Sequence, residues 1–320
     1  MTFINYDLNA IVKQCHALRA VDKIISFKQL AEGFSELEKE TGRKGYGVEI
    51  GLRGLFLQFF YDLSDREMEE RLRYDIAFKW FCKMTVDEET PDHTYFCRVR
   101  KALGTERISK IFKTINERAE KKGILRQVFT FVDASAVKSK EATWTERDKA
   151  LSDGESKLDN ENVSGYGADK DARFGCKGKD KFWYGYKRHA SVDMGSGLIK
   201  DVSATAANVP DSRGLDAVCP DGGMVFCDKA YCVKHAREAM AKRNCHSGAI
   251  MKNNMKGKNR DKDRWLTKMR APFESVFSKM ARKARYKGLA KVSLQVIMEA
   301  IAFNAKRLIA IGAPQLWAEA

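Results

Sequence analysis

Val128-Phe129-Thr130-Phe131-Val132-Asp133, followed by Ala134-Ser135, is an apolar run of β-branched and aromatic residues that ends on a carboxylate. Such a run reads as a buried strand. A strand end is a rigid mount for a catalytic group, and packing alone gives little reason for an Asp there. Met224-Val225-Phe226-Cys227-Asp228 has the same form and the same ending. If the two strands are neighbours, both carboxylates meet at one edge of a sheet. Each Asp also has a plainer reading as a turn residue.

Paired carboxylates at a sheet edge suit divalent metal chemistry. In-line phosphoryl transfer is served by two divalent ions that hold the attacking and leaving oxygens, and Mg²⁺ prefers hard oxygen ligands. Clustered carboxylates repel, which raises at least one pKa until a cation binds. A third ligand must follow Asp228, where the acids are Glu238, Asp261, Asp263, Glu274, Glu299 and Glu319. Glu238 falls in the next helix, Glu299 in an apolar terminal helix and Glu319 in the tail. Asp261 and Asp263 sit in a Lys/Arg run and read as surface ion pairs. Glu274, between Phe273 and Val276-Phe277 in the most basic region, is the candidate. It is equally readable as a first-turn residue that follows Pro272 and favours a helix N-terminus.

The charge points the same way. The 320 residues carry a net charge of +15 and a pI near 9.4, which suggests a polyanionic partner such as nucleic acid. Residues 251–290 hold thirteen Lys/Arg against three acids, about two thirds of the whole excess, while residues 137–182 balance at ten of each sign. Concentration in one segment argues for a phosphate-tracking patch over general solubility. No secretory leader pattern opens the chain and no long uncharged apolar stretch spans a bilayer, so the expectation is a cytoplasmic protein with reduced thiols. Cys227, Cys232, His235, Cys245 and His246 lie close in sequence; the cysteines show no CxxC pair, and Cys232 and His235, about one helical turn apart, have a ligand spacing that is also a common accident.

The chain divides by pattern. Ile50, Leu52, Leu55, Phe56, Phe59 and Phe60 recur at helical spacing over residues 48–73. Ser64 is placed to cap a helix from Asp65, and helical pieces follow at 76–81, 91–102 and 108–123. The expectation is an all-α N-terminal domain over 1–125, suited to binding DNA ends, with Arg98, Arg100, Lys101, Arg107, Lys110 and Lys113 as its cations. Residues 126–320 read as an α/β domain with a polar loop or insertion at 137–182. Phe182–Asp193 and Leu198–Thr205 form a hairpin around a Gly-rich turn. Asp211–Val218 is a helix, 224–227 a strand, 233–243 a helix, 248–251 a strand, and 271–285 and 292–311 helices. Such an order fits a mixed sheet with helices on both faces, as in an RNase H-like domain, and taken alone would suit other α/β folds.

The motifs carry a resemblance. Asp228-Lys229-Ala230-Tyr231, Arg270-Ala271-Pro272-Phe273-Glu274, Asp171-Ala172-Arg173-Phe174-Gly175-Cys176-Lys177-Gly178-Lys179, Tyr184-Gly185-Tyr186-Lys187 and Thr205-Ala206-Ala207-Asn208-Val209-Pro210-Asp211-Ser212 resemble the DDE transposases of bacterial insertion sequences, specifically the insertion-sequence-five family. Upstream, Tyr61-Asp62-Leu63-Ser64-Asp65-Arg66-Glu67-Met68-Glu69 and Pro91-Asp92-His93-Thr94 resemble that family's helical N-terminal domain. The match runs over about residues 50–310.

The resemblance implies that Asp133, Asp228 and Glu274 are the catalytic and metal-binding triad for two Mg²⁺ or Mn²⁺ ions, and that Arg270 is the basic partner before the Glu. It implies terminal inverted repeats and target DNA as partners, and a homodimer on paired ends. The related signature also places a Tyr three residues before the Arg and a Lys seven after the Glu. Here those positions are Thr267 and Ala281, with Lys279 and Arg282 the nearest substitutes. On a helix, Lys279, Arg282 and Lys283 would share a face opposite Phe273, Val276, Phe277 and Met280. They join Arg270 as candidate DNA contacts, with Lys187 on the hairpin. The alternatives are a non-catalytic DNA-binding protein derived from a transposase, and a metal-dependent DNA nuclease that cuts without joining.

Overall fold

A computed structural model describes residues 7–37, 45–126, 128–139, 143–178 and 181–312. The chain forms two compact units, residues 1–115 with 301–320, and residues 116–300. The first unit therefore closes ten residues before the sequence boundary at 125 and takes in the end of the chain. Among the described residues, no helix is long and apolar enough to cross a membrane.

The first unit is helical. It contains α1 (Leu8–Ile11), α2 (Ala17–Ile24), α3 (Phe27–Glu32), α4 (Gly47–Phe60), α5 (Asp65–Tyr74), α6 (Ile76–Phe81) and most of α7 (His93–Lys121). Leu52, Leu55 and Phe56 of α4 are buried as their spacing predicts, and Phe27, Phe56 and Phe81 meet edge-on or tilted at 5.3–5.9 Å. Ser64 does cap α5: its hydroxyl accepts the Glu67 N–H, and Glu67 accepts the Ser64 N–H in return. The two helical pieces expected over 91–123 run together as α7, interrupted at Gly104, whose φ of 62° is left-handed. Arg100, one of the expected DNA-facing cations, instead makes two 2.6 Å bonds to the Asp65 carboxylate.

The second unit holds β1 (Phe129–Lys138), α8 (Thr143–Ser152), α9 (Val163–Tyr166), β2 (Arg173–Lys177), β3 (Lys181–Asp193), β4 (Ile199–Ala206), α10 (Asp211–Val218), β5 (Met224–Cys227), α11 (Lys234–Lys242), β6 (His246–Ala249), α12 (Arg260–Ser278) and the part of α13 (Leu289–Ala310) up to residue 300. One edge of β3 pairs with β1, and β2 and β4 share its other edge. β1, β5 and β6 run parallel to one another, while the β3 pairings are antiparallel. This mixed, curled sheet with flanking helices is an RNase H-like α/β fold.

Alternation along the strands divides the sheet into two faces. Val132, Val225 and Cys227 pack with Leu215 and Val218 of α10 and with Ala236 and Met240 of α11. On the other face, Phe131 meets Phe273 and Phe277 of α12, and Phe226 meets Trp265. Further along that face, Val137 and Tyr186 pack with Val292 and Val296 of α13. Arg188, 1% exposed, also lies there, ion-paired with Glu299 of α13. Removing one partner of a buried pair strands the other charge and costs about 3–5 kcal/mol.

Three expectations are corrected. Residues 137–182 do not form one loop: β1 continues to Lys138, and α8, α9 and β2 follow. Charge balance hid a small set of anchors there. Ala150, Val163 and Ala172 are buried, and Asp169 accepts bonds from the Tyr186 hydroxyl and the Gly288 N–H. The helix placed at 271–285 starts at Arg260 and ends at Ser278, capped by Asn259, which accepts the N–H groups of Asp261 and Lys262. Pro272 is therefore interior to the helix and removes one of its hydrogen bonds. The strand placed at 248–251 sits two residues earlier.

His189, on the α10 face, shows how tightly that face is packed. Burial pushes its imidazole down to about 4, so it is neutral, and its Nε2 meets the Thr205 hydroxyl at 2.8 Å. A Cβ on Gly214 of α10 would fall 2.1 Å from its Nδ1. Gly214→Ala is expected to destabilise the unit by about 1–3 kcal/mol through overpacking, read as a lowered thermal midpoint, whereas Ala at the exposed Gly154 position is expected to leave His189 packing untouched.

Candidate active site

The pairing of β1 with β5 sets the geometry. Phe129, Thr130 and Phe131 stand opposite Met224, Val225 and Phe226. The same offset separates Asp133 from Asp228, so the two carboxylates emerge at one level from adjacent parallel strands. Asp133 shares a face with Phe131. The extended backbone of Asp228 (φ −79°, ψ −178°) keeps it on the face of Phe226. Both therefore lie on the α12 side of the sheet.

Local bonds fix both side chains. Asp133 accepts its neighbour Ala134 N–H at 2.8 Å. Asp228 caps the short 3-10 turn over Lys229–Tyr231, accepting the Ala230 N–H at 2.8 Å. Burial, with repulsion from Asp228 added, pushes the Asp133 carboxyl up to about 6 against the opposing pull of the Ala134 N–H, Arg270 and Lys177. The pair is thus short of positive charge.

α12 brings the third acid. Arg270, Phe273, Glu274 and Phe277 recur at spacings of three and four, which places them on one stripe of the helix. Phe273 and Phe277 seat that stripe on Phe131. The Arg270 guanidinium lies over the same ring at 5.7 Å and donates to the Glu274 carboxylate at 3.1 Å. Glu274 itself is half exposed. The structure thus brings Asp133, Asp228 and Arg270 together, and sets Glu274 one helical turn beyond Arg270. Among the described residues, no three His, Cys, Asp or Glu side chains converge as a metal-binding group.

The other candidates take different places. Lys279, Arg282 and Lys283 are exposed, but they do not share a helical face, because α12 ends before them. Lys279 is its C-cap, and Lys283 bridges in parallel to Lys138 at the end of β1. Lys187 is mostly buried, bonded to Asp211 at 2.7 Å and the Val209 carbonyl at 2.9 Å, so its charge is already neutralised. Of the rejected acids, Asp261 pairs with Arg264 as expected. Asp263 is ion-paired as well, with Lys258 at 3.3 Å, but it is buried rather than at the surface and also accepts the Met251 N–H at 3.1 Å, and Glu299 holds Arg188. Glu319 lies outside the described residues. His235 pairs with Asp216 at 2.9 Å.

Sequence reasoning singled out Arg270 but gave no role to Ser135 or Tyr231. The Ser135 hydroxyl, the Tyr231 hydroxyl and Arg270 Nε are buried without a hydrogen-bond partner among the described residues. Buried polar atoms are rarely left unpaired, and an unfilled ligand or water position is one reason they are. Tyr231, three residues after Asp228, was readable only as part of a motif.

Residues 126–305 match the transposase DDE domain family, and residues 6–102 match a second family, Transposase domain (DUF772). The first match spans more than half of the chain, and the chain belongs to the DDE transposases. A cryo-EM structure of the piggyBac transposase synaptic complex with hairpin DNA aligns over 98% of this chain and 79% of its own. The identity is 9% and the TM-score 0.37, a score at which no common arrangement is established.

The family generally uses divalent metal ions. The residues fit such an ion: Asp133 and Asp228 offer hard oxygens at one level, and their mutual repulsion is incompletely neutralised. The raised Asp133 pKa has a stability consequence of definite sign. A carboxyl raised from 3.8 to about 6 in the folded state opposes folding at pH values above 6, and that opposition fades as pH falls towards 4. Asp133→Asn is therefore expected to raise the thermal midpoint of the metal-free protein at pH 7 to 8, with the gain vanishing near pH 4. An unchanged or lowered midpoint at pH 7 to 8 would contradict the raised pKa.

Proposed function

We propose that this chain is a transposase of the insertion-sequence-five type, which cleaves DNA at its element's terminal inverted repeats and joins the freed 3′-hydroxyls to target DNA. The observation that carries the reading is the shared register of Asp133 and Asp228 on parallel β1 and β5, with the Glu274 stripe of α12 across the same face. In this reading Asp133, Asp228 and Glu274 hold two Mg²⁺ or Mn²⁺ ions. When bound, such ions activate the attacking oxygen and stabilise the leaving one.

The chain's own residues orient and neutralise. Ala134 and Ala230 N–H groups fix one oxygen each of Asp133 and Asp228, leaving the others for the ions. Arg270, stacked on Phe131, holds Glu274 on the inner stripe and adds one fixed positive charge beside the scissile phosphate. Lys279, Arg282 and Lys283 contact the phosphate backbone of the element end. The nucleophile is water in cleavage, which breaks the P–O3′ bond and leaves a 5′-phosphate and a free 3′-hydroxyl, and that 3′-hydroxyl in joining, which forms a new P–O3′ bond in target DNA as the target's own 3′-hydroxyl leaves. The first unit binds the ends, and the working form is a homodimer on paired ends, acting on cytoplasmic DNA.

An excision assay tests this reading. The gene with its flanking DNA is carried on a plasmid, and wild type is compared with Asp228→Ala. Excision by wild type that falls to background in the variant, with end binding retained, is the expected result. Equal excision removes Asp228 from the site. End binding without excision from either protein favours a non-catalytic DNA-binding protein, and cleavage without joining favours a nuclease.

A further inference from the structure

The five residues from Ala281 to Arg285, which follow α12, are gripped from two sides. On one side the end of β1 binds their backbone: the Lys138 N–H donates to the Arg282 carbonyl at 2.8 Å, and the Ala284 N–H donates to the Lys138 carbonyl at 2.7 Å. On the other side, buried side chains bind it. Arg188 Nη2 donates to the Ala281 carbonyl at 3.0 Å. Gln295 of α13 donates to the Lys283 carbonyl at 3.0 Å and accepts the Arg285 N–H at 2.7 Å. Gln295 also donates to Glu299 at 2.7 Å, and Glu299 pairs with Arg188.

Arg188 and Gln295 are 1% and 0% exposed. Burying a charged pair and an amide to hold one short segment is an expensive way to fill space, because apolar side chains of similar volume often serve stability as well or better. What the bracket achieves is a fixed backbone beneath exposed cations. Arg282 and Lys283 project from it, with Lys279 just before it, and only the Ala284 side chain turns into the core. The bracket is also tied to the strand of the first carboxylate. Arg188 stands opposite Ser135, two residues from Asp133 on the same face.

We propose that Arg188, Gln295 and Glu299 are positioning residues for the DNA backbone: a buried polar bracket that holds Arg282 and Lys283 at a set distance from Asp133. The inference rests on the reading that this segment contacts phosphates. Cations on a fixed backbone lose less conformational freedom on binding than cations on a loose one, so the bracket acts on DNA affinity without touching DNA.

The test compares three full-length proteins on one short DNA duplex across a KCl series: wild type, the triple variant Lys279→Ala/Arg282→Ala/Lys283→Ala, and Gln295→Met. Met conserves volume and removes both bonds to the segment. Amide hydrogen exchange over 281–285 and thermal midpoints are recorded alongside. Each phosphate contact contributes about 0.9 to the slope of log K against log salt. The triple variant is expected to lower the slope by up to about 2.7. Gln295→Met, measured well below its midpoint, is expected to lower it by about 1 or more, with faster exchange over 281–285.

Faster exchange in Gln295→Met with wild-type affinity and slope would make the bracket merely structural and overturn the proposal. An unchanged slope in the triple variant would overturn the phosphate reading of the segment, and the proposal with it. If Gln295→Met does not fold, Arg188→Lys takes its place under the same criteria, since it keeps the charge facing Glu299 and loses the guanidinium fork.

Discussion

Everything in the second unit depends on the parallel pairing of β1 with β5. Two strands that end on Asp are unremarkable apart. Paired parallel in their observed register, they set two carboxylates side by side on one face. The antiparallel pairing of β1 with β3 then fixes the other flank, and puts Ala190 opposite Asp133 and Arg188 opposite Ser135. A one-residue slip of either pairing would turn its side chains to the wrong face. The apolar residues Phe131 and Phe226 guard against such a slip, because each must meet its aromatic partner on α12.

Charge is the second constraint, and it opposes the first. Burial and the proximity of Asp228 make ionisation of Asp133 unfavourable, and Arg270 offsets only part of this. Here stability and function pull in opposite directions: the fold would be better served by a neutral side chain, while a cation-binding site needs the charge. The basic excess around α12 makes the surroundings receptive to a polyanion but offsets only part of the carboxylates' repulsion. α12 joins the two demands, since its apolar stripe packs on the sheet while its polar residues reach the edge where Asp133 and Asp228 emerge.

Much of this was legible in the sequence, and the reason is local. Val128–Asp133, Met224–Asp228 and the Phe182–Thr205 hairpin are short runs whose composition alone specifies strand, and Ser64 carries its capping partner three residues away. What was hidden depends on tertiary partners. The Lys/Arg run before Arg270 read as a basic segment ahead of a helix from 271, yet Asp263, Leu266, Arg270, Phe273 and Phe277 form a helical stripe whose worth appears only against Phe131 and Phe226. Residues 137–182 looked like a loop because their few anchors, Asp169 above all, bind residues far along the chain. Lys279, Arg282 and Lys283 were placed on a helix because nothing nearby marks its end. The helix stops at Ser278, and a few residues later Lys138 captures the backbone at Arg282 and Ala284, a long-range contact that no local pattern encodes. Arg188 and Glu299 lie 111 residues apart, so neither could be recognised as half of a buried pair.

The central claim is that β1, β5 and α12 bring Asp133, Asp228 and Glu274 to one cation site. Hydroxyl-radical cleavage of the protein by bound Fe²⁺ tests it most directly, because the backbone breaks only next to the ion. The expected result is fragments ending near residues 133, 228 and 274, suppressed together by excess Mg²⁺ and abolished by Asp228→Asn. Fragments ending elsewhere, or cuts near 133 that survive Asp228→Asn unchanged, would contradict a shared site.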